Sequence, residues 1–284
     1  MSTPSQPLLV PDASGEPWGE LTHLHVERDP QGLRGVVLVT LDLADRRNAM
    51  SEEMTASWGA LMSGLRADGS VRAVVVTGRG RAFCAGGDLS WLGADPGAAV
   101  STLRERMLRF YRTWLSVRDL AVPSIAAVNG AAIGAGLSVA LACDLRVAAA
   151  DARLAVPFTS LGLHPGMATT WLLRQAAGDT LARDMLLSGR SLSGTEGAAH
   201  GLVSRAVPGP EVLPAALAVA ADVAAAAPVA TELTKAALGP GGPQSYEAAL
   251  AWEGLAQPVT MAMDDLHEGL AAAQQGRPAQ FTGR

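Results

Sequence analysis

Cysteine is scarce in this chain of 284 residues, which carries only Cys84 and Cys143. Neither cysteine belongs to a CxxC pattern or to the Cys/His spacing that is typical of a zinc site. We therefore expect a reduced, cytoplasmic protein that has no structural zinc and no other bound metal.

Positive charge is also limited, because 27 aspartate and glutamate residues outnumber 22 lysine and arginine residues and leave a formal net charge of −5. The basic residues do not gather into one stretch, whereas a protein that binds nucleic acid needs a basic face to neutralise phosphates. We therefore expect no nucleic-acid partner. An anionic ligand would have to be held by main-chain amides and single arginines.

Long hydrophobic runs are missing, and none reaches the roughly 18 apolar residues that a membrane span requires. The first twenty residues lack the basic start and apolar core of a secretory signal. We expect no membrane attachment, and we interpret the polar, proline-rich residues 1–19 as a flexible tail. Aromatic residues make up only 4% of the chain, so alanine and glycine must fill much of the interior.

Periodic patterns define the first part of the fold. Alternating apolar and polar residues predict a β-hairpin formed by residues 21–27 and 36–43. Ser51, followed by two glutamates, predicts the start of a helix that runs to about residue 68. A valine-rich run at residues 71–77 predicts a strand that is covered on both faces.

The remaining pattern mixes helices with short extended segments and then becomes helical. We predict helices at residues 100–117, 137–143, 168–177, 180–187 and 195–200, and extended segments at residues 124–128, 145–149, 153–156 and 201–203. From residue 210 the chain is alanine-rich helix, with breaks at Pro228, at residues 239–243 and near Pro258. The prediction is an α/β core at residues 20–207 and a helical region at residues 208–284.

A glycine-rich turn at residues 129–138 joins an apolar strand to a buried helix. The first amides of such a helix have no intrahelical acceptor and lie at the positive end of its dipole, where they can hold a developing negative charge. We interpret the turn as half of an oxyanion hole, although glycines also allow a helix to pack closely on a strand. A second glycine-rich passage, at residues 78–89, could supply the other amide.

Seven segments of the chain form a distinctive series. They are RRNAM (46–50), VVVTGRGRAFCAGGDL (74–89), PSIAAVNGAAIGAGLSVALACDLRVA (123–148), LGLHPG (161–166), LSGR (187–190), GLVSRAV (201–207) and EGLAAAQQGRPAQFTG (268–283). In this order they resemble the crotonase, or enoyl-CoA hydratase/isomerase, superfamily. The resemblance implies a ClpP-like ββα superhelical spiral whose C-terminal helices form a homotrimer or a dimer of trimers. It also implies an acyl-CoA thioester as the bound molecule, with coenzyme A as part of the substrate and no separate cofactor.

Site residues are carried over from the resemblance position by position. The amides of Gly87 and Ala135 would form the oxyanion hole, on which a thioester enolate depends. Arg46, Arg47 and Ala49 would lie along the nucleotide end of coenzyme A, although the two arginines could also be solvated loop charges.

The same resemblance assigns further contacts with the substrate. Ala85 and Leu89 would lie near the adenine and the pantetheine. Asp88 matches an aspartate that the family carries in this turn, and it could instead cap the following helix. The residues that would line an apolar acyl pocket are Phe158, Met167 and Trp171.

The sequence departs from the family at the positions of the two hydratase glutamates, which are Ser138 and Phe158 here. Neither is a carboxylate base, and Gly166 stands where dienoyl-CoA isomerases carry an additional aspartate. Ordinary hydration is therefore disfavoured on chemical grounds. Ser138 could bond a substrate or a backbone carbonyl, and His164 could be an acid–base group or a structural loop residue.

Three functions remain open from the sequence. The first is an acyl-CoA enzyme that needs an oxyanion hole but no carboxylate pair, as in decarboxylation, isomerisation or hydrolysis. The second is a genuine hydratase or isomerase whose base is Glu105 or another residue of the helix at residues 100–117. The third is a non-catalytic protein that binds fatty acyl-CoA.

Overall fold

A six-stranded sheet is the centre of the fold in the computed structural model, which describes residues 8–11, 17–88 and 97–284. The strands in these residues are β1 (Leu8–Pro11), β2 (Pro17–Leu21), β3 (Leu24–Arg28), β4 (Val36–Leu41), β5 (Ala73–Gly78), β6 (Ala82–Cys84), β7 (Ser124–Val128), β8 (Ala131–Ile133), β9 (Leu145–Ala149), β10 (Leu154–Ala155) and β11 (Arg205–Val207). The helices are α1 (Glu52–Ala67), α2 (Val100–Leu115), α3 (Ala135–Ala142), α4 (Thr169–Ser188), α5 (Gly194–Ala199), α6 (Val212–Ala225), α7 (Pro228–Leu238), α8 (Tyr246–Met261) and α9 (Asp264–Gln275).

The six-stranded sheet has the order β11-β9-β7-β5-β4-β3. β3 and β4 pair antiparallel, and the other neighbours are parallel. Every residue of β5 and β7 is buried, because helices or other strands cover both faces of a parallel sheet. The predicted hairpin, the predicted buried strand and the α/β class are confirmed.

A smaller parallel sheet of order β10-β8-β6 carries the two glycine turns. α3 follows β8 after a single residue, Gly134, and all eight residues of α3 are buried. A helix that is apolar on every side belongs in the interior of a protein. The helix after the central glycine turn is therefore fixed by core packing along its whole length.

α1 and α2 are held together by polar and aromatic contacts. Ser51 caps α1 by accepting a hydrogen bond from the Met54 amide at 3.1 Å, a contact that contributes about 1 kcal/mol. The rings of Trp58 and Trp114 stack with their centroids 4.9 Å apart, and Trp114 Nε1 donates to Thr55 Oγ1 at 3.0 Å. These contacts fix α2, which also packs against α3.

Two core segments differ in detail from the prediction. α4 spans both helices predicted between residues 168 and 187, with a kink at Gly178, where φ is 76°. The segment predicted to be extended at residues 201–203 is a turn, and the strand β11 begins at Arg205. The left-handed φ of 74° at Gly201 prevents an extended strand from starting there.

The C-terminal region is helical, as predicted, but one break lies elsewhere. Pro258 is inside α8, and the chain breaks at residues 262–263 instead. A proline in the last turn of a helix costs only one main-chain hydrogen bond close to the helix end. No described helix alone has the length and apolar character to cross a bilayer, although the bent pair at residues 209–225 and 228–238, which meet at 113°, has both in combination.

Part of the segment that was expected to be a flexible tail is regular structure. β1 and β2 form a separate antiparallel pair in which Leu8 lies opposite Leu21. β2 also contacts α1, so the pair is attached to the core. The other residues of the predicted tail, 1–7 and 12–16, lie outside the described residues.

Candidate functional site

The two glycine turns meet at the N-terminus of α3. Gly86 has a φ of 95°, and a Cβ added there would lie 2.7 Å from Ile133 O and 3.3 Å from the Ala135 amide nitrogen. Ala135 is the first residue of α3, so its amide has no acceptor within the helix. The structure thus places the turn that contains Gly87 directly against the Ala135 amide.

A close backbone contact fixes α3 against β6. A Cβ added at Gly136 would overlap the carbonyl group of Cys84, so only glycine permits this approach. The Cys84 thiol is fully buried, and burial raises its pKa to about 12. The protonated thiol donates to Asn48 O at 3.0 Å and accepts from the Gly86 amide at 3.4 Å. Cys84 is therefore a structural link between the two turns and the loop at residues 46–50.

Three further contacts join that loop to the turn. The Arg46 guanidinium pairs with the Asp88 carboxylate at 2.5 Å, and the Ala85 amide donates to Arg47 O at 2.9 Å. The Met50 amide donates to Gly86 O, also at 2.9 Å.

Five of the residues assigned to coenzyme A binding thus lie together beside Gly87. They are Arg46, Arg47, Ala49, Ala85 and Asp88. The sixth, Leu89, lies outside the described residues, as does the segment that Asp88 was expected to cap. Arg46 and Arg47 are exposed, so their charges face solvent at the entrance to this region.

Asn48 is the residue whose side chain makes most of the hydrogen bonds around the loop, and it was not singled out from the sequence. Its side chain is fully buried, and its backbone is left-handed, with a φ of 55°, which asparagine tolerates better than most residues. Nδ2 lies 2.8 Å from Ala82 O, 3.0 Å from Arg79 O and 3.2 Å from Phe83 O, and Oδ1 accepts from the Leu43 amide at 3.0 Å. One side chain therefore holds the loop against β6.

Ser138 is engaged in a hydrogen-bond chain that leaves its hydroxyl no free proton. Its Oγ lies 2.6 Å from Thr169 Oγ1 and 3.1 Å from Gly134 O. Thr169 Oγ1 in turn lies 2.5 Å from Gly166 O. The two shortest contacts are satisfied together when Ser138 donates to Thr169 and Thr169 donates to Gly166. Both side chains are fully buried, so Ser138 serves the packing of α3 on α4.

Aromatic side chains lie beside both glycine turns. A Cβ added at Gly134 would lie 3.7 Å from Phe158 Cζ, and one added at Gly87 would lie 4.0 Å from Phe110 Cζ. The phenol of Tyr111 lies so close to Gly166 that a Cβ there would displace it. Phe158 was predicted at the site from the sequence, whereas Phe110 and Tyr111 were not. The sequence did contain a signal for them, because three aromatic residues cluster at positions 110, 111 and 114 in a chain that has few.

Met167 is buried at 1% exposure and belongs to the core, next to the loop that carries Gly166. Its φ of 56° and the 52° of Ala168 are left-handed values, which non-glycine residues adopt at a cost of about 1–3 kcal/mol each. The backbone just before α4 is therefore strained, and such strain is commonly found near functional sites.

Trp171 and His164 are both exposed and make none of the contacts around the glycine turns described above. Trp171 is 42% exposed, and Arg118 Cζ lies 5.1 Å above its ring centroid. It lines a separate cavity of about 1390 Å³ between the core and the helices α6 and α7, and neither Phe158 nor the glycine turns contribute to that lining. His164 is exposed, with Nδ1 2.8 Å from Pro165 O. Trp171 was predicted to line the acyl pocket and instead lines this cavity, with its ring beside Arg118.

Carboxylates on the described elements around the turns are either exposed or paired. Glu105, the acidic residue of α2, is exposed, and Asp88 carries the ion pair described above. Asp144 pairs with Lys235 at 2.8 Å, and Asp151 is exposed. The site thus offers main-chain amides, aromatic rings and hydroxyl groups.

Comparisons with known proteins show which family the chain resembles. A family model described as enoyl-CoA hydratase/isomerase matches residues 31–284. A probable enoyl-CoA hydratase of Mycobacterium tuberculosis is 46% identical over 191 residues, which are 67% of this chain and 73% of that protein. The 2,3-dehydroadipyl-CoA hydratase of Escherichia coli is 34% identical over 250 residues, 88% of this chain and 96% of its own. The crystal structure of an enoyl-CoA hydratase from Bacillus anthracis is 29% identical, with a TM-score of 0.86 over 93% of this chain and 100% of that one.

Proposed function

Because the chain belongs to the enoyl-CoA hydratase/isomerase family, we propose that it binds an acyl-CoA thioester and stabilises a thioester enolate without a carboxylate pair. The Gly87 and Ala135 amides would donate to the thioester oxygen. The observation that carries the proposal is the approach of the Gly86 turn to the free first amide of α3. Donors of this kind each contribute about 10²–10³-fold to the rate when they are aimed at a developing oxyanion.

The reaction that fits these groups best needs no general base. In decarboxylation of a malonyl-type thioester, the bond between the α carbon and the carboxylate breaks and carbon dioxide leaves. The electron pair stays behind as the enolate, which then takes a proton from water. Isomerisation and hydrolysis remain within the proposal and would need an acid–base group such as His164, which is exposed on its loop.

Ordinary hydration is disfavoured by what occupies the two glutamate positions. The Ser138 hydroxyl is bonded to Thr169, and the ring of Phe158 lies against Gly134, where it would exclude the attacking water. The names of the relatives favour enoyl-CoA hydration as the second candidate, and it would require a base such as Glu105. Because Glu105 is exposed, α2 would have to change its packing to supply that base.

Coenzyme A would be held by the loop at residues 46–50. Arg46 and Arg47 provide exposed positive charge for phosphate groups, and Ala49 and Ala85 lie beside them without bulky side chains. The Arg46–Asp88 pair would orient the guanidinium before the ligand arrives.

Binding and turnover together test the proposal. We expect butyryl-CoA to bind in a calorimetric titration, and free coenzyme A to bind more weakly because it lacks the thioester carbonyl. Crotonyl-CoA should not be hydrated at the 1–10³ s⁻¹ that is typical of enzymes, while malonyl-type thioesters should lose carbon dioxide. Hydration in that range would establish the second candidate, and tight binding without any turnover would establish a non-catalytic binder.

The structural role of Ser138 gives a direct prediction. Ser138→Ala should lower the free energy of unfolding by about 1 kcal/mol, since one buried hydrogen bond is lost, and it should leave the turnover rate nearly unchanged. Chemical denaturation and steady-state kinetics would measure the two effects. A loss of a hundredfold or more in kcat with an unchanged fold would instead place the Ser138 hydroxyl on the reacting atoms.

Assembly into a homotrimer or a dimer of trimers is part of the proposal. The C-terminal helices expose large apolar side chains that a single copy leaves in water. Those more than half exposed are Leu238, Tyr246, Leu255, Val259, Met261 and Leu270. Such surfaces are typical of contacts between subunits. Sedimentation equilibrium should give three or six copies, and a stable monomer would contradict this assembly.

A further inference from the structure

The phenol of Tyr111 is the polar group that α2 contributes to the site. Its hydroxyl oxygen, Cζ and Cε1 are the atoms closest to the position of a Cβ added at Gly166. Gly166 is joined to α3 through the hydrogen bonds of Thr169 and Ser138. The hydroxyl therefore lies beside Gly166, which Thr169 links to Ser138 of α3.

This hydroxyl has no hydrogen-bond partner among the described residues. Tyr111 is half-buried, and that burial raises the pKa of its phenol, so the group is protonated and can donate near neutral pH. Its neighbour Phe110 meets the ring edge-on, with centroids 6.3 Å apart. A phenylalanine would satisfy the same aromatic packing, so packing does not explain the oxygen atom.

A half-buried donor without a protein partner has to bond to water or to a ligand, because an unpaired buried donor is costly. The ring of Phe110, which packs against that of Tyr111, supplies no acceptor. Resting on the proposed acyl-CoA binding, we propose that the Tyr111 hydroxyl donates a hydrogen bond to a carbonyl or carboxylate oxygen on the acyl chain of the ligand. Tyr111 then determines specificity, and the site prefers acyl groups that carry such an oxygen beyond the thioester over plain hydrocarbon chains.

A set of three CoA thioesters and two variants tests this assignment. Acetoacetyl-CoA carries a carbonyl, malonyl-CoA carries a carboxylate, and butyryl-CoA carries neither. Dissociation constants would be measured for the native protein, for Tyr111→Phe and for Ser101→Ala, which removes an exposed hydroxyl from the same helix. Where a thioester is turned over, KM and kcat from initial rates would be compared instead.

We expect the native protein to bind at least one oxygen-bearing thioester several-fold to about tenfold more tightly than butyryl-CoA, which corresponds to one good hydrogen bond. Tyr111→Phe should remove that preference and leave butyryl-CoA binding unchanged, whereas Ser101→Ala should change neither. The arm that shows the effect identifies the acceptor as a carbonyl or a carboxylate.

The two proposals fail in different ways. If butyryl-CoA does not bind at all, acyl-CoA binding itself is wrong. If butyryl-CoA binds and Tyr111→Phe leaves the affinities of all three thioesters in the same ratio, the role of Tyr111 is wrong while the proposed function stands. A variant that loses affinity for all three equally would show a packing role for Tyr111, which also contradicts the assignment.

Discussion

Gly86→Ala should reduce kcat/KM for an acyl-CoA substrate by about 10²–10³-fold, the usual cost of losing one oxyanion donor. The added Cβ would lie 2.7 Å from Ile133 O and 3.3 Å from the Ala135 amide, so the two turns would have to separate. The backbone φ of 95° at this position is also one that alanine rarely adopts, so the variant would be strained. Both effects act on the relative position of the two amides.

Gly87→Ala provides the matched control, because it adds the same methyl group one residue later. A Cβ there would meet only Phe110 Cζ, at 4.0 Å, and Gly87 has no left-handed φ. We expect this variant to keep most of its activity. Equal losses in the two variants, measured alongside circular dichroism to confirm folding, would argue against a role for the contact between Gly86 and α3.

Asn48→Asp should lower the free energy of unfolding by about 3–5 kcal/mol, the range measured when a buried charge lacks its partner. The substitution keeps the shape of the side chain but replaces a donor by a carboxylate oxygen that faces the carbonyls of Arg79, Ala82 and Phe83. The ionised form is the penalised one, so the loss should shrink as the pH falls and the carboxylate is protonated.

The measurement is urea denaturation at pH 5 and pH 8. The control is Asp45→Asn, which exchanges a carboxylate for an amide at an exposed position just before this loop. It should change the free energy of unfolding by less than about 0.5 kcal/mol. A loss for Asn48→Asp that is similarly small would show that the loop does not depend on the buried amide.

Features with a local cause were predictable from the sequence. Ser51 followed by acidic residues specifies a helix start through its own hydrogen bond, and the valine run of β5 specifies a buried strand through its composition. The glycine turns were also recognisable, because a strand, a turn and an apolar helix follow one another at residues 124–142. The resemblance then paired the Gly87 turn with Ala135, and the structure places these two segments in contact.

Features that depend on distant contacts were not predictable. The amide of Asn48 bonds to residues more than thirty positions away, and nothing in the RRNAM segment indicates that its asparagine is buried. Tyr111, on α2, contacts Gly166 in the loop before α4, a pair of residues 55 positions apart in the sequence. Trp171 was correctly predicted to lie in a helix, but the direction of its ring depends on how α4 packs against Arg118. The direction of the His164 side chain depends on the path of the loop before α4.

The residues that hold the glycine turns differ from those that would contact the acyl group, and this separation has an evolutionary consequence. The turns are held by glycines, by Cys84 and by Asn48, whereas the side chains proposed to face the acyl group are those of Tyr111 and Phe158. Mutation can therefore exchange the second set without dismantling the first. A scaffold built in this way lets one ancestral architecture diversify into many reactions, since each new chemistry needs only a handful of replacements around an unaltered framework.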